Sequence, residues 1–385
     1  MRVLHVHSGN LYGGVETILV AIARFARLCP DMESRFALCY EGRLADDLRT
    51  ASASVDSLGP TRLSRPATVR RARRTLDGVL GRERPDLCIC HSSWSRALFQ
   101  GVIRKRGVPL VLWLHAPVRP RDWLERWAWA SSPDFVICNS DFTRSSLRSW
   151  ASRVPAQTLY CPLDLHTPTS GREAVRQAVR AALGAEPETV LIAHVARMEP
   201  GKGHTLLLEA LSHLRDRPMW KLLVVGGAQR SSELQYLETV HRHICRAGLE
   251  DRVLMLGQRS DVPDLLAAAD IYCHPSDVPE GFGIAVVDAL NAGLPVVVTA
   301  LGGVQEIVEP TCGLVAPPGD PDALARALET LITSRATRAH LGSHGPARAD
   351  ALCNPARQIT RLSQMLSQSL SQAAGFRLQA SGANG

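Results

Sequence analysis

Two acids eight residues apart, Glu280 and Asp288, lie within "PEGFGIAVVDALNAGLPVV" (Pro279–Val297). Paired carboxylates can do acid/base chemistry, hold a metal, or grip sugar hydroxyls, since an ionised carboxylate offers only acceptor oxygens. Gly281-Phe282-Gly283 follows the first acid, and Gly293 supplies a stop. A helix is therefore expected from about Gly283 to Gly293, with Asp288 in its second turn. Its free amino-terminal amides favour an anion. Two cations stand upstream: Arg197, just past the apolar run "TVLIAHVAR", and Lys202, in the turn Gly201-Lys202-Gly203. A guanidinium forks to two oxygens and an ammonium adds a point charge, a pairing suited to a diphosphate. The Gly-x4-Gly-Lys-Ser/Thr order of a P-loop is absent. Beside a diphosphate, the two acids read as grips on sugar hydroxyls. In the first half, "SGNLYGGVET" sets Gly13-Gly14 where a strand-like run gives way to helical spacing, with Glu16 in the first helical turn. Such a pair either lets the backbone approach a ligand or simply turns the chain, and Glu16 either serves the site or only complements the helix dipole.

The elements that must position these residues alternate along the chain. "RVLHVHS", "RFALCY", "PDLCICHS", "PLVLWLHA" and "DFVICNS" are short apolar runs ending in polar residues, separated by helical spacing such as Val15, Ile18, Leu19, Ile22 and Phe25. This is the pattern of parallel strands with crossover helices. It breaks at Leu159–Glu173, where Pro162, Pro168 and Gly171 mark a linker. It resumes with "TVLIAHVAR", "KLLVVGG", "RVLMLG", "DIYCHPS", "LPVVVTA" and "CGLVAPPG", then a helix that Asp320 is placed to cap. An amphipathic helix is expected over about Pro355–Gln372. The fold class is α/β: two doubly wound, Rossmann-like domains facing across a cleft. The boundaries are 1–165, an acceptor-binding domain; 166–350, a donor-binding domain; 351–373, a helix returning to the first domain; and 374–385, a disordered tail.

With 385 residues, 45% hydrophobic, the chain is long enough for two cores. The ten cysteines form no CxxC pair, and several sit inside apolar runs, so reduced buried thiols are expected rather than a zinc site. Residues 1–165 carry 24 Lys/Arg against 15 Asp/Glu, a net of +9; the remainder carries −2. Val69–Arg74 ("VRRARR") and Ile103–Arg106 ("IRKR") concentrate this charge. Such runs either draw anionic surfaces or are solvated helix faces, and without interleaved aromatics they argue weakly for nucleic acid. No apolar stretch reaches the ~18 residues of a membrane span, and no leader pattern follows Met1. A cytoplasmic location is expected, peripheral at the inner face of a membrane.

Together, Gly13-Gly14-Val15-Glu16, "HVARMEPGKGH", "VVGGA", "LGQRSDVPDLLAAADIYCHPS", the opening stretch and "ALGGVQEIVEPTCGLVAPPGD" resemble glycosyltransferase family 4, retaining enzymes of GT-B architecture, over about residues 1–345. The resemblance implies roles residue by residue. Arg197 and Lys202 bind the donor diphosphate and stabilise it as it leaves. Glu280 falls on the first acid of an E-x7-E motif and holds donor-sugar hydroxyls. Gly281, Phe282, Gly283 and Ile284 form the loop and helix start that meet sugar and phosphate. Asp288 falls on the second acid, which binds the ribose; it is one methylene short of the family's Glu, so its reach is about an ångström less unless water bridges. Gly13 and Gly14 lie near the donor phosphate and acceptor. His115 stands where the family often has a histidine near the reacting sugar, or it is a buried core histidine. Gln258 and Arg259 contact the base.

The activity so implied is transfer of a hexosyl group from a nucleotide sugar, UDP-glucose favoured, to an unidentified acceptor hydroxyl, with retention. No metal and no cofactor are expected beyond the nucleotide-sugar co-substrate, and no nucleic-acid partner. The acceptor is a small molecule, a lipid-linked intermediate or a polysaccharide precursor; the +9 charge points to peripheral contact with an anionic membrane. Two alternatives stand beside this. A sugar-nucleotide epimerase of similar architecture would alter a donor without an acceptor. A basic nucleic-acid or membrane-surface module would bind without chemistry.

Overall fold

The apolar runs form strands because a parallel sheet is covered on both faces and leaves no solvent side for alternation. The computed structural model describes residues 1–119, 121–149, 154–165, 171–217 and 220–382. The chain divides into two units, Met1–Asp164 with Cys353–Gly385, and Leu165–Leu352. Pro168 of the linker and residues 383–385 of the tail lie outside the described residues.

The first unit holds seven parallel strands: β1 (Arg2–His7), β2 (Glu33–Leu38), β3 (Ser54–Ser57), β4 (Leu87–Cys90), β5 (Leu110–Leu114), β6 (Phe135–Cys138) and β7 (Ala156–Thr158), in the order β3-β2-β1-β4-β5-β6-β7. Its core packs Leu4, Val6, Cys88, Cys90 and Leu112 of the central strands against Leu76 and Leu80 of the helix Pro66–Glu83 and Phe99 of the helix Ser93–Lys105. The helix Pro355–Gly382 meets Gly14–Arg24, the helix after β1. It continues ten residues past the expected end at Gln372, because "AAGFRLQASG" has Gly375 as its only glycine before the last residue and keeps helix formers around it.

The second unit holds six parallel strands: β8 (Val190–Val195), β9 (Trp220–Val225), β10 (Val253–Gly257), β11 (Ile271–His274), β12 (Val296–Thr299) and β13 (Gly313–Ala316), in the order β10-β9-β8-β11-β12-β13. Val190, Ile192, Leu222, Val224, Ile271 and Val297 are buried against Leu207, Leu211, Leu324 and Leu328 of the covering helices. Asp320 caps the helix Pro321–Thr333, accepting from the Ala323 amide at 2.8 Å. The helix Arg335–Cys353 approaches the helix Ile284–Asn291 backbone to backbone. A Cβ on Gly345 would lie 2.5 Å from the Leu290 carbonyl oxygen, and one on Gly342 2.3 Å from that of Gly293.

Both units are doubly wound α/β folds of Rossmann type. In each sheet strand order reverses beside the first strand of the unit, between β1 and β4 and between β8 and β11. Ligands of such sheets bind outside the carboxyl ends of the strands at that reversal. The loops after β1, β4, β8 and β11 are therefore where chemistry is sought.

Candidate active site

In the second unit, Lys202 follows β8 and Glu280 follows β11, so the reversal brings them together: Lys202 Nζ lies 2.8 Å from Glu280 Oε1. Close loop packing makes this contact. Gly203 has φ +74°, and a Cβ there would fall 1.8 Å from the Pro275 carbonyl oxygen, so only glycine fits. The Asp277 amide donates to the Gly201 carbonyl at 3.2 Å. Glu280 is clamped from the other side by the Gly303 amide, which donates to its carbonyl at 2.9 Å. The same carboxylate oxygen accepts from Ser276 Oγ at 2.6 Å and sits 3.2 Å from His274 Nε2. Burial pushes the Glu280 carboxyl up, but His274 and Lys202 outweigh it and hold the group well below the usual carboxylate range. Glu280 is therefore an ionised, oriented acceptor at neutral pH.

Arg197 has other partners. Its guanidinium pairs with Glu199 at 2.8 Å and lies 3.6 Å from Glu233, a buried acid that also accepts from the Gln229 amide. Gln258 and Arg259 are exposed in the loop after β10, where Arg259 pairs with Asp261 at 2.5 Å. That loop lies beside the loop after β9: a Cβ on Gly227 would be 2.9 Å from Gln258 Cβ. The helix Ile284–Asn291 starts as expected, after Gly283, with no side-chain cap on its first amides; Gly281 and Phe282 are buried before it. The Asp288 carboxylate has no hydrogen-bond or ion-pair partner among the described residues. Burial alone raises its carboxyl to about 7. Its environment thus differs sharply from that of Glu280, although both acids belong to one stretch.

In the first unit, Gly13 is the residue before the helix Gly14–Arg24 and has extended backbone, so no left-handed conformation demands glycine. Among the described residues, a Cβ there would meet only Glu16 Oε2, at 3.7 Å. Glu16 is more than a dipole partner: its Oε1 lies 2.8 Å from His7 Nε2, both side chains being buried. His115, directly after β5, joins a row of imidazoles. His5 Nδ1 lies 2.9 Å from His91 Nε2, and His91 Nδ1 lies 3.2 Å from His115 Nε2. The row begins at Ser34 Oγ, 3.3 Å from His5 Nε2. Burial lowers His5 and His115 to about 3 and His91 well below its ordinary value, so the rings are neutral. Among the described residues, His115 Nδ1 is buried without a hydrogen-bond partner.

Sequence reasoning missed His5, His91, His274, Ser276 and Glu233. Three of these end or follow strands whose last residues turn polar, a signal present in "CICHS" and "DIYCHPS"; His5 lies inside β1, as the first polar residue of "RVLHVHS", and Glu233, on a helix, gave no signal. The basic runs are partly spent inside the fold. Arg71 and Arg73 donate to backbone carbonyls, and Arg106 forms two 2.6 Å bonds with Asp77. A separate cavity of about 830 Å³ opens at the opposite ends of the second sheet, lined by Arg172, Arg176, Arg335 and Arg338 among others, and includes none of the candidate residues. Among the described residues no helix is long and apolar enough to cross a membrane.

Two doubly wound units, with ionised and imidazole groups gathered at their strand-order reversals, define the GT-B class of architecture. Residues 12–167 match the family model described as Glycosyltransferase Family 4, and residues 175–348 match Glycosyl transferases group 1. The chain belongs to the family-4 glycosyltransferases. It is 34% identical over 229 residues to the "GDP-mannose-dependent monoacylated alpha-(1-6)-phosphatidylinositol monomannoside mannosyltransferase" of Corynebacterium glutamicum, a match covering 57% of this chain and 58% of that protein. It is 34% identical over 186 residues to the D-inositol 3-phosphate glycosyltransferase of Xylanimonas cellulosilytica, covering 47% and 43%. The chain thus spans about half the length of the curated relatives it matches. Among solved structures, Anabaena Alr3699/HepE in complex with UDP and glucose superposes with a TM-score of 0.83 at 25% identity, covering 95% of this chain and 99% of that one.

Proposed function

We propose that the protein transfers a hexosyl group from a nucleotide sugar to an acceptor hydroxyl, with retention and without a metal. The observation that carries this reading is the contact of Lys202 with the ionised, triply contacted Glu280 at the strand-order reversal of a family-4 chain. Lys202 and Arg197 neutralise the departing diphosphate, an electrostatic contribution that grows in a desolvated site. As the bond from the sugar to the diphosphate breaks, positive charge develops on the sugar. Glu280 accepts hydrogen bonds from the sugar hydroxyls and Asp288 from the ribose, while Gly281, Phe282, Gly283 and Ile284 set the amides that meet sugar and phosphate. Gln258 and Arg259 contact the base. Gly13 and Gly14 leave room for phosphate and acceptor, and His115 faces the reacting sugar. The acceptor hydroxyl attacks from the face the leaving group vacates and passes its proton to the departing diphosphate, which retains configuration.

UDP-glucose is the donor of this reading, supported by the likeness to a protein solved with UDP and glucose. GDP-mannose is a second reading, favoured by the relative whose name states that dependence. Peripheral contact with an anionic membrane draws support from Trp123, 64% exposed and stacked on Trp127, with exposed Arg121 and Arg126 beside it. Thermal-shift screening against a panel of nucleotide sugars, followed by product analysis with an acceptor library, tests the function. Stabilisation by one nucleotide sugar and transfer that survives excess chelator are expected. Conversion of a donor in the absence of any acceptor would instead favour an epimerase, and salt-dependent DNA or liposome binding without nucleotide-sugar binding a non-catalytic module.

A further inference from the structure

The imidazole row in the first unit runs across four neighbouring strands. Ser34 lies on β2, His5 on β1, His91 just after β4 and His115 just after β5. Trp113 lies against both His91 and His115, at ring separations of 5.4 and 5.5 Å, and Phe36 stacks on His5 at 5.0 Å. These aromatic neighbours fix the ring planes. The remaining titratable pair nearby, His7 with Glu16, is bonded within itself and does not join the row.

Neutral imidazole has one N–H and one lone pair. Each nitrogen–nitrogen contact in the row needs one of each, so the three rings must all carry their proton on the same type of nitrogen. Two arrangements exist. With every proton on Nδ1, Ser34 donates to His5 and the row ends in an N–H on His115 that is buried and has no acceptor. With every proton on Nε2, His115 donates to His91, His91 to His5, and His5 to Ser34 Oγ, and the row ends in a bare lone pair. Orphaned buried N–H groups are rarer than under-satisfied acceptors, so the second arrangement prevails.

We propose that Ser34, His5 and His91 are positioning residues that hold His115 in its Nε2–H tautomer, so that its Nδ1 is a fixed hydrogen-bond acceptor for a substrate hydroxyl. The tautomer assignment follows from the row alone; the substrate hydroxyl rests on the transferase reading above. In this arrangement His115 receives a hydroxyl proton in a hydrogen bond and cannot donate one to a leaving group.

Long-range ¹H–¹⁵N spectra of the full chain labelled with ¹⁵N-histidine read each tautomer directly, with assignments from His5→Gln and His115→Gln. At pH 7, Nε2–H forms of His5, His91 and His115 are expected; an Nδ1–H or charged form of any of the three overturns the proposal. Ser34→Ala removes the last acceptor from a half-buried position without touching the site. It orphans an N–H on His5 in one arrangement and only a lone pair there in the other, so the preference for Nε2–H is expected to weaken several-fold in all three rings together. Ser34→Thr, which restores the hydroxyl, is expected to reverse the shift. Rings that ignore Ser34→Ala, or respond one at a time, refute the row. In the nucleotide-sugar assay the alanine variant should lose kcat/KM several-fold and the threonine variant regain it. If the spectra behave as stated while no nucleotide sugar binds, the row stands and the transferase reading falls.

Discussion

Asp288 is the acid whose environment makes the most quantitative demand. Its carboxyl faces no cation among the described residues, and desolvation raises it to about 7 from an ordinary 3.8. Three units at about 1.36 kcal/mol each give a penalty on the ionised form of about 4 kcal/mol. A raised acid contributes stability that is fully present below its unfolded value and is lost as pH rises through its folded one. The penalty on the ligand-free fold therefore grows between about pH 4 and pH 7 and is complete by pH 8. Asp288→Asn removes it. The variant is expected to melt higher than the parent at pH 8, by roughly 10 °C if the whole penalty is recovered, and to melt at the same temperature only below about pH 4, where Asp288 is protonated in both states. Binding should run the other way. If the ribose needs the ionised carboxylate, the competent fraction rises from roughly a tenth at pH 6 to nine-tenths at pH 8, so Kd for the nucleotide sugar should tighten roughly tenfold over that range. In Asp288→Asn it should be weak and flat. Calorimetric titration at three pH values with parallel melting curves measures both. A parent Kd that ignores pH, or an asparagine variant that melts lower at pH 8, refutes the reasoning.

Lys202→Ala and Arg197→Ala should each lower kcat for transfer by about a hundredfold or more while a folded chain persists, measured by product formation and circular dichroism; parental turnover in either variant would sink the proposed roles. Lys202→Ala should also raise the Glu280 carboxyl, because one of the two groups holding it down is gone, and this is readable as a shifted acid limb in the pH–rate profile. Gly203→Ala should destabilise the second unit by several kcal/mol, since its Cβ would fall 1.8 Å from the Pro275 carbonyl oxygen at φ +74°; an unchanged urea midpoint would contradict that packing. Ser276→Ala should cost kcat about tenfold with little change in melting, because it strips one donor from Glu280 and leaves two other partners.

The sequence made the central strands visible because they are continuous apolar runs buried on both faces, as in "LCIC" and "VVVT". It hid β3 and β7, the two edges of the first sheet. "SVDS" and "AQT" are short, polar and only partly covered, with no hydrophobic signature to separate them from loop. It also hid the helix Arg335–Cys353, whose Gly342, Gly345 and Pro346 read as breakers. The glycines are there for close approach to a neighbouring backbone, which no local pattern announces. At the site, Lys202 and Glu280 were legible as separate chemistries, but not as an ion pair. Their 78-residue separation is closed only by the strand order. The imidazole row was illegible for the same reason: its members stand within or just after three different strands and become neighbours only once the sheet is assembled.

The glycine contact beneath Asp288 bears on how such a site can change. The helix Ile284–Asn291 rests on Gly345 through main-chain atoms of Leu290, so its height above the sheet is set by backbone thickness rather than by any side chain's volume. Residues on its other faces can then be exchanged, as a Glu for an Asp at position 288, without the helix sinking or tilting to follow. Such a support separates the scaffold's freedom to drift from the pocket's freedom to acquire new donors, and it does so with two glycines.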